Sequence, residues 1–277
     1  MTDYSDWVGR TRSVTDDIVR SPATRASAML GDWSTSFTAG DATLPPLWHW
    51  FYFLEATARN ATGPDGHAAK GGFVPPIPLP RRMYAGGRFT FPGDLAFGTE
   101  AEKRSSIQSV ARKEGRSGPL AFVTVRHEIV QGGKVAATEE HDIVYREAED
   151  PTASKPPAPR SEKPALSEMT VTPDEVMLFR FSALTYNGHR IHYDQPYVTG
   201  VEHYPGLIVH GPLVAMLLFE RAREIAGKRP STFSFRAMSP VFCGTAIRLV
   251  EVAGEGAMVL EARAADDRLI MTSTTDL

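Results

Sequence analysis

The chain has 277 residues, 42% hydrophobic and 23% charged, proportions of a folded globular protein that exclude disordered, fibrous and collagen-like classes despite 21 prolines. A formal net charge of -3 without any Lys/Arg block lacks the electrostatic footprint of a nucleic-acid binder. The length suits one large domain or two units of roughly 100 to 150 residues.

Residues 1–17 are polar and acidic with no apolar leader region, and no apolar run approaches the ~18 residues that span a bilayer. Residues 43–57, Thr-Leu-Pro-Pro-Leu-Trp-His-Trp-Phe-Tyr-Phe-Leu-Glu-Ala-Thr, are expected to form a buried helix whose core holds Trp48, Trp50, Phe51 and Phe53. Residues 60–87 follow as a long Gly/Pro segment, and a structureless connection of that length usually lines or covers a binding site. Runs at 88–91, 95–101, 106–114, 120–130 and 134–146 read as strands, with Gln131-Gly132-Gly133 as a hairpin turn. Residues 149–164, EDPTASKPPAPRSEKP, carry no large apolar side chain and read as a stiff linker. The expected units are therefore 1–148 and 168–277, joined through 149–167.

In the second unit, a helical stretch at 173–185 precedes an irregular polar segment at 187–205. The clearest element runs from His210 to Gly227, with Pro212 near its start and Gly227 as its stop. Its middle, 213–219, is apolar all round and should be buried. Strand-like runs at 232–239, 245–252, 258–264 and 269–274 complete an α+β unit of buried helix and antiparallel meander. The single cysteine, Cys243, offers neither an internal disulfide nor a thiolate zinc site, which fits a reducing cytoplasm.

The two halves echo each other. Val14-Thr-Asp-Asp17 matches Val171-Thr-Pro-Asp174, Arg25-Ala-Ser-Ala-Met29 matches Arg180-Phe-Ser-Ala-Leu184, and Phe97-Gly-Thr99 matches Cys243-Gly-Thr245. Their shared order points to a duplicated unit.

The segment Phe181-Ser-Ala-Leu-Thr-Tyr-Asn-Gly-His-Arg-Ile-His-Tyr-Asp194, with Glu202-His-Tyr-Pro-Gly-Leu-Ile-Val-His-Gly-Pro212 after it, resembles the signature of the MaoC-like hydratases and dehydratases. Within them it is most similar to the type 2 hydroxyacyl-thioester dehydratases. The likeness extends to Phe235-Arg-Ala-Met-Ser-Pro-Val-Phe242 and, in the first half, to Pro45-Pro-Leu-Trp-His-Trp-Phe-Tyr-Phe53 and Pro80-Arg-Arg-Met-Tyr-Ala-Gly-Gly87. It implies an α+β double hotdog, two antiparallel sheets each wrapped on a long central helix, with the second unit catalytic and the first binding substrate. It also implies a hydro-lyase acting on acyl-CoA, with coenzyme A as part of the substrate and no other cofactor or metal.

Adding water across a double bond conjugated to a thioester needs a base for water, a proton source for the alpha carbon and donors for the enolate oxygen. His192, which matches the family's catalytic histidine, is the candidate base: a neutral imidazole near its unperturbed pKa takes a water proton and returns it in reverse. The Gly211 N–H, opening the buried helix, is the candidate oxyanion donor. Many MaoC-like members carry an aspartate five residues before the histidine, and here, as in the type 2 branch, Asn187 stands there. It orients water but accepts no proton, so His192 is the sole strong base or Asp194 compensates. In the first half, Asp32 matches Asn187 and Phe37 stands where the histidine would be, so that half should lack a catalytic pair.

Tyr186, Asp194 and His210 are further candidates for substrate contact, and Arg81 and Arg82 for coenzyme A phosphates or a far-end carboxylate. Similar bacterial members hydrate branched C5 dicarboxylyl-CoA thioesters, mesaconyl-C4-CoA and itaconyl-CoA, to citramalyl-CoA, which implies a small acidic acyl group. A 3-hydroxyacyl carrier-protein dehydratase, a silent acyl-thioester-binding hotdog and a thioesterase are the alternatives. Hotdog sheets often pair edge to edge, which would make a homodimer or, with two units in one chain, close the pairing internally.

Overall fold

The computed structural model describes residues 4–34, 36–115, 118–147 and 158–276. The first half carries β1 (Thr11–Asp17), α1 (Arg20–Leu30), β2 (Thr43–Leu44), β3 (Arg81–Thr90), β4 (Leu95–Ala96), β5 (Glu100–Gly115), β6 (Gly118–Gln131) and β7 (Lys134–Arg146). The second carries β8 (Ala165–Val171), α2 (Glu175–Leu184), α3 (Gln195–Gly200), α4 (Gly211–Ala226), β9 (Thr232–Ala237), β10 (Ile247–Val252), β11 (Met258–Arg263) and β12 (Leu269–Thr275). Apart from the small β2–β4 pair, the strands form one antiparallel sheet in the order β1-β5-β6-β7-β3-β9-β12-β11-β10-β8.

That order reads the same from either edge once the halves are matched, β1 with β8, β5 with β10, β6 with β11, β7 with β12 and β3 with β9. The duplication in the sequence is thus a duplication in the fold. Gly98 and Gly244, paired in the third echo, both have positive φ (77° and 75°), and their N–H groups donate to Ile18 O at 2.9 Å and Pro173 O at 2.8 Å. The halves meet where β3 pairs with β9, from Gly86 opposite Arg236 to Thr90 opposite Thr232. A Cβ on Gly86 would lie 2.6 Å from the Phe235 carbonyl oxygen, so this close approach requires glycine.

Two expectations are corrected. The halves share one continuous sheet rather than two, because β3 and β9 complete each other's hydrogen bonding. The long helix expected at 43–57 is a single 3-10 turn, Trp48–Phe51. Pro45 and Pro46 oppose helix on the approach, and Leu47 (φ 67°) and Phe53 (φ 55°) break it on both sides. The aromatic residues are core as expected: Trp48, Phe51 and Phe53 are buried, and Trp50 packs against the same cluster.

The second-half helix matches its expected span. Every residue from 213 to 219 is at most 1% exposed, each large apolar side chain contributing about 2 kcal/mol of burial, and Gly227 closes the helix in the left-handed conformation. Of the expected linker, 149–157 lies outside the described residues, and Ala165 already pairs with Val252 in the sheet, so the second unit starts before residue 168. Arg81 and Arg82 belong to β3, opposite Arg146 and Tyr145, rather than to the long segment. Among the described residues no helix is long and apolar enough to cross a membrane.

Candidate active site

The site is assembled where α2 ends and α4 begins. Asp174 starts α2 by accepting a hydrogen bond from Met177 N at 2.8 Å. After α2 the chain turns through Tyr186, at φ 50°, and the Asn187 N–H donates back to Ser182 O at 2.8 Å. Asn187 Oδ1 accepts the His189 N–H at 3.0 Å, which fixes the amide orientation and leaves its NH2 free to donate. A 3-10 turn, Arg190–His192, then delivers His192.

His192 is 7% exposed, and its Nδ1 lies 2.7 Å from Ile208 O. A carbonyl only accepts, so Nδ1 carries the proton and Nε2 presents a lone pair. The ring stacks on His210 at 3.6 Å and 20°, and His210 Nε2 is held by Ser182 Oγ at 2.8 Å. Burial, and after it the neighbouring His189, push the His192 pKa down to about 3. The imidazole is therefore neutral at working pH, as expected, but as a much weaker base than an unperturbed histidine, because its imidazolium would be desolvated.

Gly211 opens α4. His210, the preceding residue, makes no side-chain cap, Pro212 follows, and proline has no N–H. The Gly211 amide thus stands at the positive end of a 16-residue helix. A Cβ there would meet nothing within 4 Å, so the space beside the Gly211 Cα is open. A buried neutral base and a helix-opening amide without a side-chain cap can together bind an acyl thioester and move a proton beside it.

The other candidates divide. Asp194 caps α3 by accepting from Tyr197 N at 3.0 Å and pairs with Arg190 at 2.9 Å, so it is committed to structure and does not replace the missing aspartate. Tyr186 is mostly exposed, and His210 is fully buried, stacked against His192. Arg81 is also committed, donating to Glu202 O at 2.8 Å and to the Tyr204 hydroxyl at 3.2 Å, which ties the halves together. Arg82 is half-buried and is not among these ties. In the first half, Phe37 is buried against Trp48 and Phe97, and Asp32 is exposed, so these two positions do not reproduce the Asn187–His192 arrangement.

Sequence reasoning missed a contribution of the long first-half loop. Its Pro64-Asp65-Gly66 stretch docks on the segment that carries His192: Arg190 N donates to Asp65 O at 2.9 Å and Arg190 Nη1 to Pro64 O at 3.0 Å. His67 is carried along, its Nδ1 3.0 Å from Asp65 Oδ2 and its ring 4.0 Å from that of His189. The His189 ring in turn lies 5.4 Å from His192. Donor atoms of Asp65, His67 and His189 fall within 4.8 Å of one another, a set chemically able to hold a metal ion. The only sequence signal was the length of the segment, since 122 residues separate His67 from His189. A surface hollow of about 370 Å³ lies elsewhere, on the sheet around Arg88 and Ser234.

The fold and these residues define an α+β double hotdog built as a hydro-lyase for acyl thioesters. The family model described as hydroxyacyl-thioester dehydratase type 2 matches residues 47–243, and the chain belongs to that family. It is 46% identical over 275 residues to the mesaconyl-C(4)-CoA hydratase of Chloroflexus aurantiacus, covering 99% of this chain and 98% of the relative. Its fold is similar to a MaoC-like dehydratase from Phytophthora capsici (TM-score 0.73, 13% identity, 99% and 98% of the chains covered). It is also similar to a double-hotdog protein of Mycobacterium tuberculosis (TM-score 0.55, 14% identity, 97% and 95% covered).

Proposed function

We propose that the protein hydrates a branched C5 dicarboxylyl-CoA, mesaconyl-C4-CoA, reversibly to citramalyl-CoA. Its full-length relationship to a hydratase named for that substrate supports the acyl group. The observation that carries the chemistry is the His192 tautomer, set by Ile208 so that Nε2 is free.

In this mechanism the thioester oxygen sits at the Gly211 N–H and Asn187 donates its NH2 to the attacking water. His192 Nε2 takes a proton from that water as its oxygen bonds to the beta carbon. The π pair moves toward the thioester as an enolate, held by the helix amide. The imidazolium then returns the proton to the alpha carbon, completing addition across the double bond. Burial that weakens His192 as a base makes the imidazolium a strong acid for this second step. The reaction calls for no redox or metal cofactor, and coenzyme A enters as part of the substrate. We also assign the protein to the cytoplasm, as a homodimer joined through the edge strands β1 or β8.

Purified protein mixed with mesaconyl-C4-CoA, itaconyl-CoA, crotonyl-CoA and a longer enoyl-CoA tests this through loss of conjugated-thioester absorbance and product mass. The expected result is gain of one water, far faster with the C5 dicarboxylyl esters than with crotonyl-CoA or the longer enoyl-CoA, abolished in a folded His192→Ala variant. Reaction of straight-chain carrier-protein thioesters alone would move the assignment to a carrier-protein dehydratase. Release of free thiol would make it a thioesterase.

A further inference from the structure

Arg81 and Arg82 are neighbours in β3 with opposite fates. Arg81 is 9% exposed and neutralised by Glu202, 3.4 Å away. Arg82, half-buried and facing the same side of the sheet as Tyr145 opposite it, has no carboxylate partner among the described residues. A guanidinium stays charged at every working pH, and holding one partly out of water without a counter-ion is costly. Arg82 also lies close enough to His67, His189 and Lys70 to disfavour their protonated forms, reinforcing the larger effect of burial in each. This wall therefore has the charge of an anion site. Arg82 and Lys70 would repel a metal ion at Asp65, His67 and His189, and Asp65 is already engaged by His67.

We propose that Arg82 is the specificity-determining residue of the site, receiving the free carboxylate of the dicarboxylyl group, with His67, its Nδ1 turned to Asp65, lining the wall beside it. The inference rests on the substrate reading above. In mesaconyl-C4-CoA the free carboxylate is attached directly to the carbon that water attacks, one C–C bond of about 1.5 Å away. Its receptor must therefore lie beside the base rather than at the end of a long tunnel. The succession His192, His189, His67, with ring separations of 5.4 and 4.0 Å, puts the wall in that neighbourhood. A straight enoyl chain has a hydrogen and an alkyl group on the attacked carbon and offers Arg82 no counter-charge, so the same guanidinium disfavours fatty substrates.

The test compares kcat/KM for mesaconyl-C4-CoA and crotonyl-CoA in the wild type and in Arg82→Gln, Arg82→Lys and His67→Gln, with melting curves to establish folding. The expected result is a loss of a hundredfold or more in Arg82→Gln on mesaconyl-C4-CoA only, partial rescue in Arg82→Lys, and a smaller selective loss in His67→Gln. Equal losses on both substrates would overturn the inference while leaving the proposed reaction standing. A wild type inactive on every C5 dicarboxylyl ester would instead overturn the substrate reading and this inference with it. Stoichiometric Zn²⁺ binding lost in Asp65→Ala would also overturn it, making the wall a metal site.

Discussion

Gly66→Ala should undock the first-half loop from the catalytic segment. Gly66 has φ +89°, and a Cβ there would lie 2.9 Å from the Gly188 carbonyl carbon and closer still to its oxygen. Neither neighbour has a flexible side-chain end that could swing away, so the backbones must separate. Separation removes the two hydrogen bonds from Arg190 to Asp65 and Pro64, worth about 1 kcal/mol each, and alanine at this φ adds a further cost of about 1–3 kcal/mol. Together these disfavour the docked loop by roughly 3 kcal/mol or more, a shift above a hundredfold in its population. Hydrogen exchange should show faster amide exchange at residues 58–72 with the central strands unchanged, and kcat/KM for the dicarboxylyl substrate should fall in parallel. Unchanged exchange with full activity would refute the idea that this backbone contact holds the loop in place.

Three further outcomes follow from the same structure. Glu220→Ala should lower the melting temperature by roughly 10 °C, from a loss of about 3–5 kcal/mol, because the carboxylate accepts from Trp48 Nε1 at 2.9 Å, Ser34 at 2.9 Å and Ser36 at 3.1 Å in the core; an unshifted melt would contradict this. His192 and His127 are held neutral with pKa values near 3 by burial, against about 6.5 in the unfolded chain. Protons therefore bind the unfolded state preferentially between these values, and stability measured by denaturant titration should fall as pH drops from about 6.5 toward 3; a flat profile would count against both burials. Gly211→Ala has room for its methyl and should melt normally, while displacing the thioester oxygen enough to lower kcat/KM about a hundredfold; wild-type kinetics would remove Gly211 from the site.

What was legible in the sequence was local. The helix ending at Gly227, the hairpin at Gln131-Gly132-Gly133 and the order of the duplicated unit depend on glycines, prolines and apolar runs readable within a window. The first-half helix was misread because aromatic density resembles a buried helix while the backbone breaks at Leu47 and Phe53 are invisible in composition. The site divided along the same line: Asn187, His192 and Gly211 stand on contiguous motifs, whereas the fates of Arg81 and Arg82 depend on cross-strand partners. Their difference comes from Glu202, more than a hundred residues away in sequence. His67 escaped notice for the same reason, since only folding brings its loop to the catalytic segment.

The paired halves also bear on how such a site can change. In an assembly of two identical chains, every substitution appears twice, so a residue beneficial on one wall is imposed on its symmetry mate. Here both copies lie in one polypeptide, and each has been free to diverge. In the first copy Phe37 packs against Trp48, and Trp48 donates to Glu220 of the other copy's helix. Its long loop meanwhile reaches across to the second copy, with His67 against His189. In one polypeptide, the first-half loop can therefore change where it meets Arg190 and His189 without any change in the segment that carries His192.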